Sequence, residues 1–242
     1  MFPRDSKPSF ISLFRYNIIA LFFNNILPTA LGGDVYRIIK LGRYGLSSVF
    51  MERLIGFCAV SLLAVSGIFR INDPVVFKKV SIVFVLFTLS LVAIILLVFV
   101  RPFAYNAIRL QRRIKWLDIG SRLSGFWLNI GAYRGRLMDL LWVFLISILF
   151  QLSTVGVNAS FGYGLGLEIP LDLYCTGVSL VAIVTALPSI GGIGFREGGY
   201  YLLVVVLAHQ SKDAALALST VIFAITLFGG FIGGILYLLK RN

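Results

Sequence analysis

The chain has 242 residues, 59% of them hydrophobic and 13% charged, with a mean hydropathy of +0.94. That composition excludes a soluble globular domain and identifies an integral membrane protein. The net charge of +12 is explained by basic residues beside membrane spans, where they set orientation and meet anionic headgroups, so nucleic acid is discounted as a partner.

Residues 10 to 46 hold the first unusual element. Phe10 to Ile26 is apolar but interrupted by Arg15, Asn17, Asn24 and Asn25, and it runs into LPTALGGDVYR at residues 27 to 37. Pro28, Gly32 and Gly33 are residues that break a helix and allow close backbone approach. Two spans follow between 49 and 100. The first covers about Val49 to Phe69, and the second, residues 80 to 100, gives 21 consecutive positions without a charge, enough to cross a hydrocarbon core of roughly 30 Å as a helix.

The loop 101–137 carries eight basic residues against one acid, Asp118, which predicts a cytoplasmic location. Its Leu110, Ile114, Leu117, Leu123, Phe126, Trp127 and Ile130 recur at spacings that suit either an amphipathic helix on the membrane surface or a linker with partial helix. Residues 138 to 160 predict a third span. The connection 161–171 has Glu168 but no Lys or Arg, as an external loop should.

Residues 172 to 211 resemble the first element. Asp172 to Leu187 and Gly198 to Ala208 are each shorter than the roughly 20 residues of a perpendicular span, and LPSIGGIGFRE at 187 to 197 lies between them. The last span, 214 to 239, ends in Lys240 and Arg241, which predicts a cytoplasmic C-terminus.

Charge parity is kept if 172–211 enters from outside and returns outside, and if 10–46 dips from the inside. For 172–211, short pieces that cross as ordinary tilted helices give the same ends. Hairpins are the expectation, because irregular backbone at membrane depth is tolerated only where protein or a watery cavity covers it. The expected fold is therefore an all-α polytopic membrane protein. It is a helical bundle with two opposed re-entrant helix hairpins in inverted-repeat fashion, one transmembrane domain over residues 1–242.

The two motifs echo each other, Leu27-Pro28-x3-Gly32-Gly33-x3-Arg37 against Leu187-Pro188-x2-Gly191-Gly192-x3-Arg196. Gly pairs can end one half-helix and start another with N–H groups free to meet an anion, and a following Arg adds a fork suited to phosphate. Charges at membrane depth cost about 2.5–3.5 kcal/mol each, so partners are expected: Asp34 with Arg37, Glu52 with Arg53, Arg196 with Glu197. Glu52 and Arg53 lie near a predicted boundary and also read as interfacial charges that merely end a helix. Arg196 and Glu197 follow 23 uncharged residues and precede 14 more, which favours a functional role.

Enzymatic constellations are poor. His209 is the single histidine, which argues against a His-based triad or a multi-His metal site. GGIGFREGG has Glu197 where a dinucleotide fingerprint needs its third Gly, and no Walker-type motif occurs. Cys58 and Cys175 lie in apolar runs and read as small buried hydrophobes. No catalytic residue, metal or cofactor is expected. GGFIGG in the last span stacks Gly229 over Gly233 and Gly230 over Gly234, a face for close helix packing.

FFNNILPTALGGDVYR, VFMERLIG and LPSIGGIGFREGG resemble the signatures of the flippase-like membrane-domain family that includes the transmembrane region of lysylphosphatidylglycerol synthases, the multiple peptide resistance factors. The resemblance spans about residues 16 to 237. It implies a cytoplasmic-membrane domain with re-entrant helices that moves lipids between leaflets, in some members aminoacylated phosphatidylglycerol. Asn25, Asp34, Arg37, Glu52, Arg53, Arg196 and Glu197 then fall on the headgroup path. Pro28, Gly32, Gly33, Pro188, Gly191, Gly192 and Gly194 fall on the re-entrant breaks.

Family members usually begin with further hydrophobic helices before the Asn-Asn-x-Leu-Pro motif, so a truncated or minimal variant is expected. No soluble synthase domain follows Asn242, so aminoacyl transfer is not. The expected partners are membrane lipids, anionic or aminoacylated phospholipid, with a homo-oligomer or a synthase as protein partner. The alternative function is a non-catalytic membrane scaffold for a lipid-modifying synthase or glycosyltransferase.

Overall fold

The computed structural model describes residues 8–27, 32–99, 126, 129–131, 133, 135–186 and 194–239. Among them every regular element is helical. In chain order these are α1 (Phe10–Ile26), α2 (Gly32–Leu41), α3 (Gly45–Ile68), α4 (Pro74–Phe99), α5 (Leu137–Gly164), α6 (Leu171–Thr185), α7 (Phe195–Tyr201) and α8 (Lys212–Leu239). A 3-10 turn at Gly42–Tyr44 joins α2 to α3, and α7 continues as a π-helical turn over Leu202–Leu207. Four helices, α3, α4, α5 and α8, are long and apolar enough to cross a membrane.

The ends of α4 show how local sequence sets these lengths. Asp73 caps the helix, its carboxylate accepting the N–H groups of Val75 and Val76 at 2.7 and 3.2 Å, and Pro74 sits where its missing N–H costs nothing. The helix thus starts six residues earlier than Val80, its 26 residues reaching about 39 Å. Lys78 and Lys79 ride in its first turns.

The short helix α6 is the centre of the bundle. All nine residues from Leu173 to Val181 are buried, as in a helix that is apolar all round and covered on every side. Its 15 residues span only about 22 Å, less than a hydrocarbon core. It runs antiparallel to α3, and polar side chains fasten the pair. Thr176 Oγ1 donates to the Ala64 carbonyl at 2.7 Å and accepts the Gly67 N–H at 3.1 Å, and Ser179 Oγ donates to the Val60 carbonyl at 3.1 Å. Arg70 Nε meets Asp172 at 2.6 Å where α3 ends and α6 begins.

α7 and its π turn come back along α6, with Gly199 against Val181 and Leu203 against Gly177. The Tyr200 hydroxyl donates to Asn158 Oδ1 of α5 at 2.5 Å, while Asn158 Nδ2 donates to the Thr154 carbonyl. That chain of bonds satisfies two polar groups buried in an apolar bundle.

The other side of the molecule is built on α8. As its glycines suggest, α1 lies close against it, antiparallel: Gly233 faces the Ile18 backbone, Gly234 the Phe22 ring and Gly230 the Asn25 amide, whereas Gly229 makes only an ordinary contact with Leu21. α2 then runs back along α1, with the Tyr36 ring stacked on Phe23 at 5.1 Å and edge-on to Tyr16 and Tyr237.

Of the basic loop, Ile130 is fully buried, the Phe126 ring packs edge-on to Phe50, and Tyr133 joins the cluster around Met51, Leu54 and Leu91. The remaining apolar residues of the surface-helix reading, Leu110, Ile114, Leu117, Leu123 and Trp127, lie outside the described residues, as do Pro28, Pro188, Gly191 and Gly192.

Candidate functional site

Asp34 is the third residue of α2, and its position follows from the glycines before it. A Cβ on Gly33 would run into the Ala20 carbonyl, so only glycine lets the start of α2 press onto α1, where the Gly33 N–H donates to Asn24 Oδ1 at 2.7 Å. Asn24 in the sequence only interrupts an apolar run and is not among the expected path residues. It is a polar residue one helical turn before a break and satisfies an N–H at the start of the next helix.

The expected pair of Asp34 with Arg37 is present at 3.6 Å. Glu52 and Arg53 do not pair with each other, because consecutive residues on a helix do not face each other. They reach across to α2 instead. Arg53 Nε and Nη2 meet Asp34 Oδ2 at 2.9 and 2.8 Å. The two terminal nitrogens of Arg37 take the two oxygens of Glu52, Nη1 to Oε1 at 3.0 Å. The order of contacts is Arg53, Asp34, Arg37, Glu52, two acids and two bases with no net charge.

The quartet has a covered half and an open half. The side chains of Asp34 and Arg37 are 6% and 12% exposed, those of Arg53 and Glu52 46% and 52%. The fork-on-carboxylate geometry of Arg37 and Glu52 is the one guanidinium offers to phosphate as well.

Arg196 and Glu197 stand outside this quartet. Gly194 opens α7 at φ 84°, in backbone that favours glycine, and Glu197 turns back to accept the Gly194 N–H at 2.5 Å. Glu197 therefore caps its own helix. Arg196 crosses to α8, its guanidinium 4.6 Å from the centre of the Phe223 ring, a cation–π arrangement. Both charged residues are half-buried.

Asn25 closes α1 on the same helix, its Nδ2 donating to the Thr226 carbonyl at 3.1 Å. Phe223 and Thr226 lie one turn apart, astride the middle of the 28-residue α8. The end of α1 and the start of α7, each beside one of the echoed motifs, thus meet the long helix halfway along. Among the described residues no group of three His, Cys, Asp or Glu could hold a metal ion.

The family model for the lysylphosphatidylglycerol synthase TM region matches residues 4–234. The chain belongs to this family. No curated protein and no solved structure matches it. Membership in the lysylphosphatidylglycerol synthase TM region agrees with the four membrane-length helices and gives the chain a lipid-related role in a membrane. Asp34, Arg37, Glu52, Arg53, Arg196 and Glu197 all lie within the stretch that the family model covers.

Proposed function

We propose that the chain is a lipid translocase of the cytoplasmic membrane, with α1–α2 and α6–α7 acting as two re-entrant hairpins that dip from opposite faces. One observation carries the reading: Asn25 and Arg196 reach α8 one turn apart near its midpoint. Charged and irregular backbone at that depth needs protein or a watery cavity around it, and discontinuous helices meeting at mid-membrane are how transporters build polar sites. The basic loop 101–137 and the C-terminus would face the cytoplasm.

The quartet supplies chemistry for a headgroup. Taking Glu52 from the covered Arg37 leaves that guanidinium with Asp34 as its one remaining carboxylate in the quartet, a modest cost because Glu52 is itself half-exposed. A phosphate carrying an ammonium group, as in an aminoacylated phospholipid, avoids that cost: its phosphate replaces Glu52 on Arg37 while its ammonium takes the released carboxylate. The half-exposed Glu52 and Arg53 form the side from which this exchange starts. Arg196 serves the same phosphate on the second hairpin, and the chain moves lipid without transferring an aminoacyl group.

The test is leaflet exchange of labelled anionic and aminoacylated phospholipids in liposomes, with Arg196→Ala and Asp34→Asn beside the unaltered protein. Exchange that both substitutions abolish in folded protein supports translocation. Stable, folded protein that exchanges neither lipid points to a scaffold for a lipid-modifying enzyme.

A further inference from the structure

Away from the charged quartet's residues, the bundle leaves an apolar slot at its surface. A cavity of about 140 Å³ lies between α4, α6 and the π turn, lined by Val80, Val83, Leu180, Leu202, Val206 and Leu207, with Lys79 as its one charged member. α4 fully buries only Phe84, Leu91 and Val98, seven residues apart in a single narrow seam. Of its first turns Val76 and Val80 pack against the core, while Val83 stays exposed beside the slot.

The opposite wall is the π turn. Its wider winding buries Leu203, Val204 and Leu207 against the core, and it leaves Leu202 and Val206, four residues apart, on the slot. π turns inside helices recur at functional sites. A cavity lined in this way holds no water, since water needs two to four polar partners; in a bilayer, hydrocarbon is the material at hand to fill it.

The charge at the mouth selects the lipid. The charge-free stretch of α4 begins at Val80 and its 20 residues to Phe99 match a hydrocarbon core of roughly 30 Å, which leaves Lys79 at the headgroup edge of that stretch. Lys79 is exposed and lies one turn above Val83 on the same face. Lys78 beside it is also exposed, and the nearby Arg70 is already paired with Asp172.

The geometry points to a binding site for one acyl chain of an anionic phospholipid, taken from the leaflet that holds the α3–α4 turn, with its phosphate at Lys79 and its chain running past Val83 to Leu180 and Val206. The site does not depend on translocation. It would hold lipid equally well in a scaffold.

Photo-crosslinking tests it. The protein is placed in nanodiscs containing phosphatidylglycerol or phosphatidylcholine, each with the same diazirine midway along one acyl chain, and adducts are mapped by mass spectrometry. Adducts should concentrate on the peptides holding Val80–Val83 and Leu202–Val206, roughly fivefold more with phosphatidylglycerol, the preference one basic residue gives near a surface. Lys79→Gln should remove the preference and keep the adducts. Val83→Trp, and independently Val206→Phe should the first variant unfold, should remove the adducts by filling the slot. Adducts spread evenly along the outer face of α4, or unchanged in both filled variants, would overturn the site; equal labelling by the two lipids would overturn its anionic selectivity.

Discussion

Arg53 grips Asp34 with two nitrogens on one carboxylate oxygen, Nε at 2.9 Å and Nη2 at 2.8 Å, across nineteen residues of chain. Asp34 is buried and holds Arg37 as well, so it is the keystone between α2 and α3. Asp34→Ala should cost about 1.5–3 kcal/mol, the range for hydrogen bonds to charged groups, read as a fall in thermal unfolding temperature in detergent. Glu52→Gln, at a half-exposed end, should cost about 0–1 kcal/mol. A double-mutant cycle on Asp34→Asn and Arg53→Gln should give a coupling of about 0.5–3 kcal/mol. Zero coupling would mean that the contact holds nothing.

The α1–α8 contact predicts a contrast between neighbouring glycines. A Cβ on Gly233 has nowhere to go but the Ile18 carbonyl, which is backbone and cannot swing aside, while a Cβ on Gly229 would sit 3.5 Å from the end of Leu21. Helices in lipid associate through such close packing because lipid tails are as apolar as leucine. Gly233→Ala should therefore destabilise by about 1–3 kcal/mol and Gly229→Ala should be silent. Equal effects at both positions would contradict the packing.

That glycine face was legible in the sequence because it is a local pattern, four residues apart on one helix. So were the long spans, which depend on length and apolar content alone. Partner choice was not. The i,i+3 pair of Asp34 with Arg37 is readable from spacing, but adjacency in sequence pairs Glu52 with Arg53, whereas α2 beside α3 offers each a better-placed partner. Glu197 likewise spends its charge on the Gly194 N–H, a cap visible only once Gly194 adopts positive φ. The π turn left no trace in LLVVVL, and Thr176 and Ser179 looked like ordinary small polar residues until their bonds to the α3 backbone were seen.

The bond between Tyr200 and Asn158 makes a prediction of a different form. Tyr200→Phe removes the donor and leaves Asn158 Oδ1 buried without its partner, and Asn158→Leu strands the hydroxyl in turn. Each single change should cost about 0.6–1.7 kcal/mol, the scale of interhelical hydrogen bonds in membranes. The double change replaces both polar groups by apolar ones and should recover most of that loss. Simple additivity in thermal unfolding would show that the two groups do not act as a pair.

Arg196 lies over Phe223 near the middle of α8, where the ring offers the guanidinium an aromatic face. A desolvated cation–π contact is worth roughly 2 kcal/mol. Phe223→Leu keeps the apolar bulk but removes the quadrupole, so it should lower stability by about that amount. Phe223→Trp, with the stronger ring face, should preserve it. If Arg196 also serves lipid movement, the Arg196→Ala protein should gain from losing a buried charge: folded yield equal to or above the unaltered protein, with leaflet exchange lost. Loss of yield and exchange in parallel would instead assign Arg196 to holding α7 against α8. The ratio of exchange to folded protein, compared across Arg196→Ala, Arg196→Lys and Phe223→Leu, separates the two roles, because a structural cation should be rescued by lysine and a phosphate fork should not.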